Sequence, residues 1–236
     1  DLEKAETRRD FIQACWKKAL FPSKQEACRL TLSTGEVVDY LLNKPDSRND
    51  ASRLPLLLFL HGGGESGDDL EQVKKHGPPK EIEEGKAFPM IVVSPLNPDR
   101  KGFWDEDRLT RFLDTLPNAV TFDSERVYLA GLSRGGYGAY RLAMENPDRF
   151  AAMLVLCGAA PTPYAGWLQG LPVWIIHGEK DTSIPVAESK RMAEALKAAG
   201  GNVKLTLHPE AGHDVWTQTF QDPTTIRWFL KHVRHP

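Results

Sequence analysis

Ser133 sits in the stretch "YLAGLSRGGYGAYRLA", residues 128–143, with glycines at 131, 135, 136 and 138 around it. A serine hydroxyl becomes a useful nucleophile only when a neighbouring base takes its proton. The chain would then also have to supply an acid to orient that base and donors for a developing oxyanion. The spacing Gly131-x-Ser133-x-Gly135 follows the strand-like "RVYLA" directly and opens a helix-like run. That is the context of a sharp strand-to-helix turn, which presents a serine at the carboxyl edge of a sheet. Gly131 and Gly135 are the small residues such a turn needs, while Gly136 and Gly138 let the helix lie close to its neighbours. A helix N-terminus behind Ser133 also favours negative charge in front of it.

The base must come from seven histidines. With a nucleophile on this kind of turn, the acid and then the histidine follow it in chain order, each on a loop after a strand. His177, His208, His213, His232 and His235 satisfy the order. His177 ends the strand-like "PVWIIHG" and leaves too little chain before it for an acid. His208 belongs to the strand-like "VKLTLH", and His232 and His235, on or beyond the last helix, read as solvent-facing. His213, in "PEAGHDVW", is the best base. The preceding loop "IIHGEKDTSIP" offers Glu179 and Asp181; Asp181 stands further out, where it can accept the second ring N–H of His213. Asp214 is too near His213 in sequence to fold back onto it, and the competing reading of Asp181 is a helix cap near Pro185.

For the oxyanion, one donor is expected from the backbone N–H of Arg134 and another from "HGGGESG", residues 61–67, with Gly63 first and Gly64 next. This glycine run lacks both the G-K-[ST] ending of a phosphate loop and the G-x-G-x-x-G order of a dinucleotide site. His61 and His177 are expected to orient their loops. A metal site of His61, His177 and His213 has no ligand pattern behind it, so no metal or organic cofactor is expected.

Elements able to hold these residues are legible from residue 25 onward. "CRLTLS" and "VVDYLLNKP" around the turn "TGE" read as a hairpin; "LPLLLFLHG", "PMIVVSPL", "RVYLAG", "FAAMLVLCG", "PVWIIHG" and "VKLTLH" read as further strands. Between and after them, "WDEDRLTRFLDTLP", "YGAYRLAMENP", "VAESKRMAEALKAAGG" and "TTIRWFLKHV" read as helices. The fold class is therefore α/β, a mostly parallel sheet with helices on both faces, in one domain spanning residues 1–236 with a helical extension over residues 2–20.

The formal net charge of −2, with both signs interspersed, argues against nucleic acid or an anionic membrane as partner. No apolar run approaches the roughly 20 residues needed to span a bilayer. A soluble chain acting on a small-molecule or polymer-linked ligand is expected. Asp1 rather than Met opens the sequence, which fits a leader removed earlier and so a secreted or periplasmic protein, although the compartment and the oligomeric state stay open. Of the cysteines Cys15, Cys28 and Cys157, the last reads as a small buried apolar residue, and a Cys15–Cys28 bridge requires an oxidising compartment.

Taken together, "LLLFLHGGGESGDD", "RVYLAGLSRGGYGAYRLAMENPDRFAA", "PVWIIHGEKDTSIPV" and "EAGHDVW" resemble the α/β-hydrolase superfamily. The resemblance is to its compact serine esterases, of the polyhydroxybutyrate-depolymerase-like, feruloyl-esterase-like and phospholipase/carboxylesterase-like kinds. It implies ester hydrolysis through an acyl-enzyme, with Ser133 attacking, His213 moving the proton, Asp181 orienting the ring, and the Gly63 and Arg134 amides holding the oxyanion. Related dienelactone hydrolases carry cysteine at the nucleophile position, and serine here counts against that assignment.

Only "AAPTPYAGWLQGL" separates two strands where many lipases insert a helical lid, so an open site without a large lid domain is expected. Pro161, Tyr164, Trp167 and Trp104 are candidates for its apolar walls and Trp216 for its rim, with ordinary packing the competing reading of each. An open cleft suits short-chain or aromatic esters, including carbohydrate-linked ones. The same triad also allows a peptidase, and the fold allows a catalytically silent binding domain.

Overall fold

Runs of five or six residues almost free of polar side chains become strands buried along their whole length. They are β3 (Leu56–Leu60), β4 (Ile91–Pro95), β5 (Val127–Leu132), β6 (Ala152–Leu156) and β7 (Val173–Gly178). A computed structural model describes residues 25–45 and 54–234. Side chains of a strand alternate between faces. Leu56, Leu58, Leu60 and Leu129 accordingly enter one core cluster, and Leu57, Phe59, Tyr128, Ala130 and Leu132 the other.

Both faces must then be covered. Helices α2 (Glu106–Thr115), α3 (Arg134–Glu145) and α4 (Val186–Ala198) bring Phe112, Leu142, Met192 and Leu196 to the first cluster. Helices α1 (Gly77–Glu83), α5 (Trp216–Gln221) and α6 (Pro223–Leu230) bring Ile82, Phe220, Ile226 and Phe229 to the second. The Asp105 and Asp222 carboxylates accept backbone N–H groups at the starts of α2 and α6, supplying partners those helix ends otherwise lack.

The eight strands run in the order β1-β2-β4-β3-β5-β6-β7-β8. The strands from β3 onward pair in parallel. The hairpin of β1 (Gln25–Thr31) and β2 (Val37–Asn43) joins antiparallel to β4, and β8 (Val203–His208), half-buried, forms the far edge. The chain leaves β3 first to one side, for β4, and then to the other, for β5. The loops after β3 and β5 therefore open beside each other at the carboxyl ends of the strands, where sheets of this kind hold ligands.

The expected class, an α/β sheet of α/β-hydrolase type with helices on both faces, is what the described residues adopt. Between β6 and β7 the chain makes only a 3-10 helix, Thr162–Leu168, packed through Ala165 and Leu168. The expected helix over residues 2–20 lies outside the described residues, as do Cys15 and His235. Cys28 is a half-buried free thiol. Among the described residues no helix is long and apolar enough to cross a membrane. His232 corrects the sequence reading: instead of facing solvent, its ring packs 4.9 Å from Trp228, its carbonyl accepts the Tyr128 hydroxyl at 3.0 Å, and burial lowers its pKa.

A β-carbon on Gly135 would lie 2.0 Å from the Leu60 carbonyl oxygen, and one on Gly131 2.1 Å from the Gly135 carbonyl oxygen. The backbones of β3, β5 and α3 meet there with no space for a methyl group. Gly135→Ala is therefore expected to destabilise the fold by about 3 kcal/mol. In the same denaturant titration, Gly166→Ala, whose new β-carbon meets nothing within 4 Å, should stay within about 0.5 kcal/mol of the parent.

Candidate active site

Ser133 lies between β5 and α3 with φ 53° and ψ −119°, in a backbone region that non-glycine residues avoid. Its amide is tied to the Leu156 carbonyl at 2.8 Å, so the neighbouring strand holds the turn open. The Ser133 Oγ stands 3.0 Å from His213 Nε2, and His213 Nδ1 stands 2.7 Å from Asp181 Oδ2. An ionised carboxylate can only accept, so Nδ1 carries the hydrogen and Nε2 offers its lone pair to the serine O–H.

The Asp181 side chain is buried, and both its oxygens are partnered. Its Oδ1 accepts the amides of Ser183 at 2.8 Å and Ile184 at 3.0 Å, and its Oδ2 also lies 3.1 Å from His177 Nε2. Burial pushes its pKa upward, but the His213 N–H and the two amides outweigh this and hold the carboxyl below its usual value. Those amides precede α4, whose start at Pro185 has no side-chain cap, so Asp181 closes the turn before the helix and does not cap the helix itself. His177 is buried too; Nε2 donates to the Ile184 carbonyl at 2.9 Å and Nδ1 accepts from Ser189 Oγ at 2.7 Å.

The loop carrying His213 is held from beneath. Cys157, with φ 47° at the end of β6, donates its thiol to the His213 carbonyl at 3.1 Å. Burial pushes this thiol up to about 12, so it stays protonated. The sequence reading took Cys157 for apolar filling, and no spacing in the chain signals its contact with His213.

The loop after β3 is braced by its own histidine. His61 Nε2 accepts the Asn97 amide at 3.0 Å, which leaves the hydrogen on Nδ1, 2.7 Å from the Gly62 carbonyl. Burial lowers its pKa to about 4, with the Arg134 charge adding to the effect, so His61 is neutral. Gly62 then passes so close to Ser133 that a β-carbon there would lie 3.5 Å from that of the serine. A β-carbon on Gly63 would lie 2.7 Å from the Arg134 guanidinium carbon, so this side chain covers Gly63, and its Nη1 donates to the Arg100 carbonyl at 3.1 Å. Gly63 and Arg134 thus lie against each other, and the direction of a side chain on Gly64 is open.

The aromatic assignments need correction. Trp104 is 5% exposed and forms no wall; its Nε1 donates to the His61 carbonyl at 3.2 Å, and it fills the space against Gly138. Trp167 is exposed and stacks on Tyr164 at 5.0 Å, but it lies with Phe150, Ala151 and Pro172 beside the amino ends of β6 and β7. The 3-10 helix bearing it descends from one end of the sheet to the other, which carries it away from Ser133. Trp216 does lie at the site, its ring perpendicular to His213 at 5.1 Å, although it is itself buried. The exposed aromatic near the first turn of α3 is Phe103, packed 4.6 Å from Tyr137 and absent from the sequence reading.

His61 and His177 have both ring nitrogens engaged and do not join His213 in a metal cluster. Cys157, Asp181 and His213 place donor atoms within 4.8 Å of one another, but the carboxylate and the ring already hold each other.

Residues 101–221 match the model of the dienelactone hydrolase family, about half of the chain. The chain belongs to the dienelactone hydrolase family. Serine at the nucleophile position, which the sequence reading counted against that family, is therefore compatible with it. Among relatives, the chain is similar to the esterase-named protein NocK of Nocardia uniformis subsp. tsuyamanensis, with 34% identity over 56% of this chain and 41% of NocK. It is also similar to a protein named as feruloyl esterase C of Aspergillus terreus, with 27% identity over 69% of this chain and 62% of the relative. A solved thermostable esterase superposes with a TM-score of 0.76 and 25% identity, over 89% of this chain and 63% of that one. The chain spans less than half of NocK and somewhat over three fifths of the other two.

Because His61 is neutral when folded but takes a proton near pH 6.5 when unfolded, the unfolded state binds more protons between about pH 6.5 and about pH 4. Stability should fall as pH drops through that window, by up to about 3 kcal/mol from this residue. Thermal melts from pH 7 to pH 4 are expected to show a shallower slope for His61→Gln, which should also be less stable than the parent at pH 7.

Proposed function

We propose that the protein is a serine-dependent carboxylic-ester hydrolase working through an acyl-enzyme. The observation that carries the reading is the unbroken hydrogen-bonded line from Ser133 Oγ through His213 to Asp181. His213 takes the serine proton as Oγ bonds to the ester carbonyl carbon, and returns that proton to the alkoxide as the carbon–oxygen bond to the alcohol breaks. Water then repeats the sequence on the acyl-enzyme and frees Ser133. Asp181 keeps the reactive tautomer and stabilises the charged ring.

The Arg134 N–H, first in α3 and so without an intrahelical partner, and the Gly63 N–H hold the oxyanion. Every step is carried by the chain's own residues. The substrates are short-chain or aromatic esters, some of them carbohydrate-linked. Support for this comes from the short connection after β6, the exposed Phe103 and the relative named as a feruloyl esterase.

Assays on p-nitrophenyl esters from acetate to laurate, on methyl ferulate and on a matching peptide amide test the reading. Ester cleavage is expected to exceed amide cleavage, and kcat should fall by about 10³-fold or more in both Ser133→Ala and Asp181→Asn. Activity that survives Ser133→Ala, or an amide cleaved faster than its ester, would overturn it.

A further inference from the structure

Glu65 ends the glycine-rich loop, and the account above gives it no task. It is a carboxylate 5% exposed, and its Oε2 has no hydrogen-bond partner. The same is true of two neighbouring groups: the Nε1 of Trp216, 6% exposed, and the Nδ1 of His76. The three are contiguous. His76 Nε2 lies 3.6 Å from Glu65 Oε1, and the His76 ring lies 5.4 Å from that of Trp216.

The cluster also borders the reacting groups. Trp216 stands edge-on to His213, and the β-carbon direction of Gly62 passes 3.1 Å from Glu65 Oε2 and 3.5 Å from the Ser133 β-carbon. The histidine nearest Oε2, His61 Nδ1 at 3.9 Å, gives its hydrogen to the Gly62 carbonyl instead. Buried polar atoms are almost always partnered, so a buried acceptor and a buried donor, on residues that both adjoin the His76 ring and border Ser133 and His213, call for a visiting group.

We propose that Glu65, Trp216 and His76 form the subsite for the alcohol half of the ester, and that this alcohol carries neighbouring hydroxyl groups, as a sugar does. This rests on the esterase reading above. His213 must protonate the departing oxygen, so the alcohol leaves against the His213 ring, and the surface continuing from that ring is Trp216, His76 and Glu65. A carboxylate oxygen accepts and an indole N–H donates. Neighbouring hydroxyls, each both donor and acceptor, satisfy the pair together. An ammonium group has only donors and would leave the indole unpaired, and an alkyl alcohol has a single hydroxyl, already spent in the ester bond. His76, which adjoins both and whose side chain is 36% exposed, turns aside as the alcohol enters.

Partitioning of the acyl-enzyme measures this subsite without depending on which acid is preferred. With p-nitrophenyl acetate as donor, the bond from Ser133 Oγ to the acetyl carbon breaks as an acceptor hydroxyl bonds to that carbon. The acceptor's proton passes through His213 to Ser133. Methyl β-xylopyranoside is expected to capture at least about tenfold more acetyl than ethanol at equal molarity. In Glu65→Gln and in Trp216→Phe, each checked for an intact fold by its melt, that ratio should fall to within about twofold of unity. A ratio near unity in the parent, or one unchanged in Glu65→Gln, would overturn the subsite. If no Ser133-dependent release of p-nitrophenol occurs, the esterase reading fails separately. Calorimetric titration with xylobiose then decides the subsite: heat that is lost in Glu65→Gln upholds it, and no heat, or heat indifferent to Glu65, ends it.

Discussion

The left-handed backbone of Ser133 is the constraint on which the rest depends. A serine at φ 53° is strained, and such strain persists only where the surroundings over-determine it. Here the Ser133 amide is bonded to β6, while β3 presses against Gly135 on the other side of the turn. The strained residue is thus held between two strands of a sheet buried on both faces. Relaxing it would mean separating β3 from α3 or breaking the bond to β6. The site therefore draws its rigidity from the centre of the sheet, and the loops around it have only to be aimed.

That aiming is done largely by buried histidines. His61 fastens the loop after β3 to the loop after β4, and His177 fastens the Asp181 turn to the start of α4. An imidazole suits this work because its two ring nitrogens reach partners in fixed directions. Cys157 adds a third brace under the His213 loop, and Trp104 a fourth behind the His61 carbonyl. Asp181, which accepts three N–H groups and has His177 Nε2 3.1 Å away, is where the braces converge on the reacting groups.

Much of this was legible in the chain. The buried strands announced themselves as short apolar runs between turn residues, and the glycine spacing around Ser133 marked a turn too tight for side chains. Chain order then singled out Asp181 and His213 among several carboxylates and histidines, and the structure brings both to Ser133. What stayed hidden depended on where long side chains end up. Trp104 and Trp167 have the same chemistry, yet one fills the gap over Gly138 and the other rides a 3-10 helix to the amino ends of β6 and β7. The short helix Gly77–Glu83 begins with glycine and two prolines and is too brief to show a helical period. Glu65 drew no reading from the sequence, and only the fold shows it buried near Ser133 with Oε2 unpartnered.

The central claim is that His213, oriented by Asp181, makes Ser133 nucleophilic. Labelling with an alkyl fluorophosphonate, followed by peptide mass spectrometry, tests it most directly, because the reagent modifies only an activated hydroxyl and needs no knowledge of the substrate. The account predicts stoichiometric modification of Ser133 in the native chain and slowing by about 10³-fold or more in His213→Ala. Label at another residue, or at Ser133 with an undiminished rate in His213→Ala, would contradict it.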